Sequence, residues 1–161
     1  MHHFILGRTG LTISRTGFGA LPIQRIGFEE AGRILNRALD GGISYIDTAR
    51  VYTDSEAKIG ASISHRRGEY ALATKTAAKD AEGFNRDLET SLRTLKTDVI
   101  DVYQFHNPGF VPVPGGADGL YDAALEAKKQ GKNRLIYYNS DMADNVKKRD
   151  EEAKKNPGAR T

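Results

Sequence analysis

The chain has 161 residues and no cysteine. That absence excludes disulfide bridges and thiolate-bound metals, and it fits a reducing compartment. No apolar run approaches the roughly 18 residues that a membrane-spanning helix needs, so no membrane partner is expected. The first residues lack the apolar core of a secretory signal, which makes a cytoplasmic location the expectation. Strong charge of one sign is missing too: 24 Lys and Arg stand against 21 Asp and Glu, a formal charge of +3 with a pI near 9.1. Late basic residues lie among acids, as in Lys147-Lys148-Arg149-Asp150-Glu151-Glu152. That is the pattern of a solvated helix face rather than a nucleic-acid stripe. Nucleic acid is therefore not an expected partner, and the exposed pair His2-His3 is not expected to hold a metal.

Hydrophobic residues make up 39% of the chain, enough at this length for a single domain over 1–161 with its own core. Strand-like and helix-like periods alternate, the sign of repeated βα units. A hairpin over 3–14, turning at Gly7-Arg8-Thr9-Gly10, precedes a strand over 16–21. The helix starting at Phe28 carries Ala31, Ile34, Leu35, Ala38 and Leu39 on one stripe and ends at Gly41-Gly42. Strand 44–48 leads to a helix over 55–64, with Ser55 as a candidate cap. Strand 70–76 leads to a helix over 83–95 with an apolar face of Phe84, Leu88, Leu92 and Leu95. Strand 99–105 leads to a helix over 118–129, closed by Gly131. A fifth unit is thinner: a strand over 134–138, then a helix over 142–155 offering mainly Ala143, Val146 and Ala153 before Asn156-Pro157-Gly158 stops it. The expected fold class is α/β: a partial (β/α) barrel of about four to five units behind an N-terminal β-hairpin.

Asp47, Tyr52, Lys75 and His106 fall at or just beyond the C-terminal ends of three of these strands. Parallel α/β folds gather their chemistry at that edge, which suggests one shared site. The segment Gly42-Ile43-Ser44-Tyr45-Ile46-Asp47-Thr48-Ala49-Arg50-Val51-Tyr52-Thr53-Asp54-Ser55-Glu56 resembles the aspartate-tyrosine motif of the aldo-keto reductases. Ala73-Thr74-Lys75 and Gln104-Phe105-His106 follow in that family's order. Leu6-Gly7-Arg8-Thr9-Gly10-Leu11 and Gly17-Phe18-Gly19 are similar to its hairpin and first strand. The likeness is close over 4–132 and fades over 133–161, a divergent strand-helix tail.

The resemblance implies reduction of a small aldehyde or ketone with NADPH. Tyr52 would be the general acid, with Lys75 stabilising its anion, Asp47 orienting Lys75, and His106, as a neutral imidazole, fixing the carbonyl oxygen. Asn139 and Ser140 stand where the family's pair that holds the cofactor's carboxamide would be, about one residue out of register. A full (β/α)8 barrel takes about 250 residues, so the chain supplies about half of one, and an open half barrel is expected to self-associate, most simply as a dimer. The alternative is a noncatalytic engineered or truncated half-barrel scaffold whose tetrad is only inherited.

Other features have plainer readings. Gly17-Phe18-Gly19 has no third glycine opening a helix, so close packing at the barrel mouth is expected. Arg66-Arg67 reads as a solvated helix terminus. The loop over 108–116 could wall the substrate pocket, and Tyr137-Tyr138 would point to opposite faces of a strand.

Overall fold

A computed structural model of the chain describes residues 2–7 and 9–136. Strands β1 (His3–Ile5) and β2 (Thr12–Ser14) form the expected antiparallel hairpin. Its connection is closed by Leu6 N–H donating to the Leu11 carbonyl at 2.9 Å, and Gly7 and Gly10 take the positive φ angles the turn requires.

The main sheet is parallel with five strands in chain order: β3 (Phe18–Gly19), β4 (Tyr45–Asp47), β5 (Ala71–Thr76), β6 (Ile100–Phe105) and β7 (Asn133–Ile136). Helices α1 (Phe28–Asp40), α2 (Ser55–Ile63), α3 (Ala81–Leu95) and α4 (Leu120–Lys129) connect successive strands. This is the partial (β/α) barrel anticipated from sequence, four complete βα units followed by a fifth strand. The expected helix over 142–155 and Tyr137-Tyr138 lie outside the described residues. Among the described residues no helix is long and apolar enough to cross a membrane.

The core lies between sheet and helices. Leu35, Leu39, Ile46, Ile59, Ile63, Leu72, Phe84, Leu88, Leu95 and Ile100 are buried there. Strand alternation explains the split of β5: Leu72 joins the core and Thr74 and Thr76 bond to helix side chains, whereas Lys75 turns to the opposite face. The α3 stripe is buried as expected, and its N-terminus is capped by Asp80, whose carboxylate accepts from Gly83 N–H at 2.7 Å.

Three details differ from the sequence reading. The first barrel strand is only Phe18–Gly19: Ala20 N–H makes a last ladder bond to the Asp47 carbonyl at 2.8 Å, and the chain then leaves the sheet in a 3₁₀ turn, Leu21–Arg25, that contains Pro22. Ser55 does not cap α2; it is the first helical residue, and its buried hydroxyl donates to the Ala20 carbonyl at 3.0 Å beside the Thr48 hydroxyl at 2.9 Å. Arg66 and Arg67 are not a solvated terminus. Arg66 bonds Asn36, Asp40 and Glu69, and Arg67 reaches the sheet, donating to the carbonyls of Tyr70 and Val99 and, at 2.5 Å, to the buried carboxylate of Asp101. Gly17 fits the close-packing expectation: a Cβ there would meet the Tyr45 ring at 3.0 Å.

Candidate active site

Asp47 ends β4, Lys75 is the next-to-last residue of β5, and His106 follows β6 directly. Parallel pairing aligns Asp47 with Ala73 and Lys75 with Gln104, while His106 N–H continues the ladder to the Thr76 carbonyl at 2.8 Å. The three side chains therefore leave neighbouring strands at one edge.

The Lys75 ammonium lies 2.7 Å from Asp47 Oδ1, 2.6 Å from Oδ2 and 2.8 Å from the Thr48 carbonyl oxygen. These acceptors match its three N–H donors, so toward other groups Lys75 acts as a fixed positive charge. Its Nζ is 5.8 Å from the centroid of the Tyr52 ring, within cation–π range. Tyr52 meets His106 edge to face, with ring centroids 5.6 Å apart and planes at 89°.

Tyr52 is carried by the loop between β4 and α2. Arg50 N–H donates to the Lys75 carbonyl at 2.9 Å, Tyr52 N–H to the Ala49 carbonyl at 3.0 Å, and Ser55 N–H to the Tyr52 carbonyl at 2.7 Å. Thr53 adopts a φ of 34°, which L-residues rarely take. This conformation turns the chain at once from the strand end into α2.

The His106 Nδ1 atom is buried with no hydrogen-bond partner among the described residues. A buried N–H demands an acceptor, so this environment favours the tautomer with its proton on Nε2, which leaves only a lone pair at Nδ1.

A buried polar layer that the sequence reading did not anticipate lies behind this edge. Glu56 is 1% exposed, and its Oε1 accepts from Thr74 Oγ1 at 2.7 Å and Ser91 Oγ at 2.8 Å, while Oε2 pairs with Arg50. Next to it, Asp87 accepts from the Thr76 hydroxyl. Tyr103 packs edge to face on Phe84, and its buried hydroxyl has no well-formed partner among the described residues. Burial raises the Tyr103 phenol far above its ordinary range, with the Asp87 charge adding to the effect. Lys58 is also buried, donating to the Ile23 carbonyl at 3.0 Å and to Asp54 at 2.8 Å, and so it anchors the 3₁₀ turn beside the site. A signal for Glu56 was available: it shares a helical stripe with Ile59 and Ile63.

Asn139 and Ser140 lie outside the described residues. Of the loop following β6, Phe110 packs edge to face on Phe105 at 5.8 Å and so joins the core. Among the described residues no group of His, Asp and Glu is placed to hold a metal ion.

Comparison with known proteins agrees with this architecture. The model of the aldo/keto reductase family matches residues 15–155. An aldo-keto reductase of Bacillus subtilis, YhdN, is 38% identical over 146 residues, covering 76% of this chain and 44% of that protein. Methylglyoxal reductase DkgB of Salmonella typhi is 36% identical over 110 residues, covering 62% of this chain and 38% of its own length. Among solved structures, the holo form of an aldo-keto reductase from Bacillus halodurans superposes with a TM-score of 0.74 at 29% identity, covering 84% of this chain and 49% of that one. The chain thus spans about half the length of the relatives it matches. With a family model over most of its length and the βα architecture of the solved relatives, it belongs to the aldo/keto reductase family.

Proposed function

We propose that this edge reduces a small aldehyde or ketone, with Tyr52 as proton donor, Lys75 and Asp47 as its charged support, and His106 as the group that fixes the carbonyl oxygen. The observation that carries the reading is the Lys75 ammonium, bound by both Asp47 oxygens and lying 5.8 Å from the Tyr52 ring centroid. Reduction adds a hydride to the carbonyl carbon while the oxygen takes the Tyr52 phenolic proton. The phenolate left behind is stabilised by the Lys75 charge, which Asp47 and the Thr48 carbonyl hold in place. The Nε2–H of His106 donates to the oxygen as negative charge grows on it.

A reduced nicotinamide dinucleotide, NADPH from the family resemblance, supplies the hydride when bound. The residues at this edge fit the proton-transfer end of that chemistry. Asn139 and Ser140, which would hold the carboxamide, lie outside the described residues, and no step is assigned to them. The holo form of the Bacillus halodurans relative supports cofactor binding, and the name of the Salmonella relative supports a small carbonyl substrate.

The competing reading is a noncatalytic half barrel whose tetrad is only inherited. Two measurements separate the two. NADPH is titrated by fluorescence, and its oxidation is followed with methylglyoxal for the parent chain and Tyr52→Phe. Carbonyl-dependent oxidation that falls about 10²- to 10⁴-fold in Tyr52→Phe supports the enzyme. Absence of both binding and oxidation supports the scaffold.

A further inference from the structure

We propose that Arg50 and Glu56 form a clamp that positions Tyr52 over Lys75, an inference that rests on reading Tyr52 as the proton donor. Arg50 stands two residues before Tyr52 and Glu56 four residues after it. Their ion pair therefore closes a ring across 51–55, with Tyr52 and the left-handed Thr53 inside it.

One side of the clamp is anchored in the interior. The Glu56 side chain is 2% exposed, and a carboxylate so far from water is tolerated only when donors surround it. Thr74, Ser91 and Arg50 provide those donors from β5, α3 and the Tyr52 loop. Thr74 immediately precedes Lys75, so the strand residue next to the ammonium and the loop that carries the phenol bind the same carboxylate. The other side of the clamp is at the rim: the Arg50 side chain is 25% exposed, and its backbone N–H bonds the Lys75 carbonyl at 2.9 Å.

Without the ion pair the loop keeps its short-range backbone bonds, Tyr52 to Ala49 and Ser55 to Tyr52, the backbone link from Arg50 to β5, and an exposed hydrogen bond from the Thr53 hydroxyl to Gln24. It also keeps the anchors at its far end, Lys58 to Asp54 and the Ser55 hydroxyl to Ala20. Thr53, in its unfavourable conformation, would be the first residue free to relax. A phenol that must deliver a proton to a fixed oxygen does not tolerate such drift, since a misplacement of about 1 Å can cost on the order of 10²-fold in rate. Arg50 and Glu56 are thus positioning residues that act through Tyr52, not groups that touch the reacting atoms.

The test compares Arg50→Met, Arg50→Lys and Glu56→Gln with the parent chain by two readouts that need no turnover. The first is the nuclear Overhauser contact between the Tyr52 and His106 rings. The second is hydrogen exchange at the amides of Arg50, Tyr52 and Ser55, with those of Leu72 and His106 as internal controls. Arg50→Met should weaken the ring contact and speed exchange in the loop by about tenfold or more, leaving both control amides protected. Arg50→Lys should restore both signals in large part, and Glu56→Gln, which keeps the side chain's shape, should loosen the same three amides. If the chain turns over, Arg50→Met should also lower kcat by about 10²-fold with KM nearly unchanged. The proposal is overturned if Arg50→Met leaves ring contact and loop exchange as in the parent. It is equally overturned if Glu56→Gln speeds the control amides as much as the loop, which would make the pair a general stabiliser. Failure of the proton-donor reading shows separately, as turnover that survives in Tyr52→Phe.

Discussion

Gly60 on α2 lies so close to α3 that a Cβ added to it would be 2.2 Å from the Thr94 carbonyl oxygen. The obstacle is backbone, with the Leu95 carbonyl carbon next at 2.9 Å, so no side-chain rotation can relieve the clash. Gly60→Ala should destabilise the chain by about 1–3 kcal/mol through helix separation, although alanine is the better helix former. Urea unfolding will measure it, and a stability equal to the parent's would show that the helices part without cost.

Arg67 and Asp101, 34 positions apart, join the end of the second βα unit to the sheet. Asp101 also accepts from Leu72 N–H at 2.8 Å, so its carboxylate bridges β6, β5 and the guanidinium. Removing the cation strands a buried charge, and Arg67→Met should cost about 3–5 kcal/mol. Adding Asp101→Asn to that variant should recover part of the loss, because the stranded charge goes with it. A cycle of thermal unfolding measurements on the two single variants and the double variant checks this coupling.

Tyr103 makes stability sensitive to alkali. Burial raises its phenol above the ordinary value of 10.0, and burial acts in the same direction on Tyr70. Both groups stay neutral in the folded chain while the unfolded chain ionises, so their contribution is intact below pH ~10 and is lost as pH rises above it. Each contributes a slope of up to about 1.4 kcal/mol per pH unit in that window. Tyr103→Phe should flatten the alkaline limb. At neutral pH it should be neutral or stabilising by about 1 kcal/mol, because it deletes a buried hydroxyl without a good partner. On the acid side the sign reverses: the hydrogen bond from Lys58 holds Asp54 below its ordinary value of 3.8, so that contribution is present above that value and lost as pH falls through the lowered one. Unfolding midpoints from pH 3 to 11 for the parent and Tyr103→Phe will test both limbs.

The repeated βα units were legible because periodicity carries them: the α3 stripe of Phe84, Leu88, Leu92 and Leu95 is buried as its spacing requires. The strand-edge placement of Asp47, Lys75 and His106 was legible for a related reason, since a polar residue closing an apolar run marks the edge of a parallel sheet. The short first strand was not, because its end is set by the 3₁₀ turn that begins at Leu21. Nor was Arg67, which looks like any basic residue at a helix end until folding brings Asp101 beside it. Glu56 was hidden differently: its helical face says buried, and only the distant donors Thr74, Ser91 and Arg50 explain how burial is tolerated.

Self-association remains our proposal, and it follows from the order of the sheet. Among the described residues the sheet ends at β3 on one side and β7 on the other, and neither has a further strand from those residues along its outer side. In a closed barrel the strands pair around the ring, and an unpaired edge is a template for another chain. A second copy related by a twofold axis satisfies both copies with the same contact. Light scattering coupled to size-exclusion chromatography at about 50 µM should therefore give a mass near twice the 17.7 kDa of one chain. Dilution should shift it toward the monomer, and NADPH should oppose that shift if the cofactor binds where two copies meet. A mass of one chain at every concentration, with or without NADPH, would rule the dimer out.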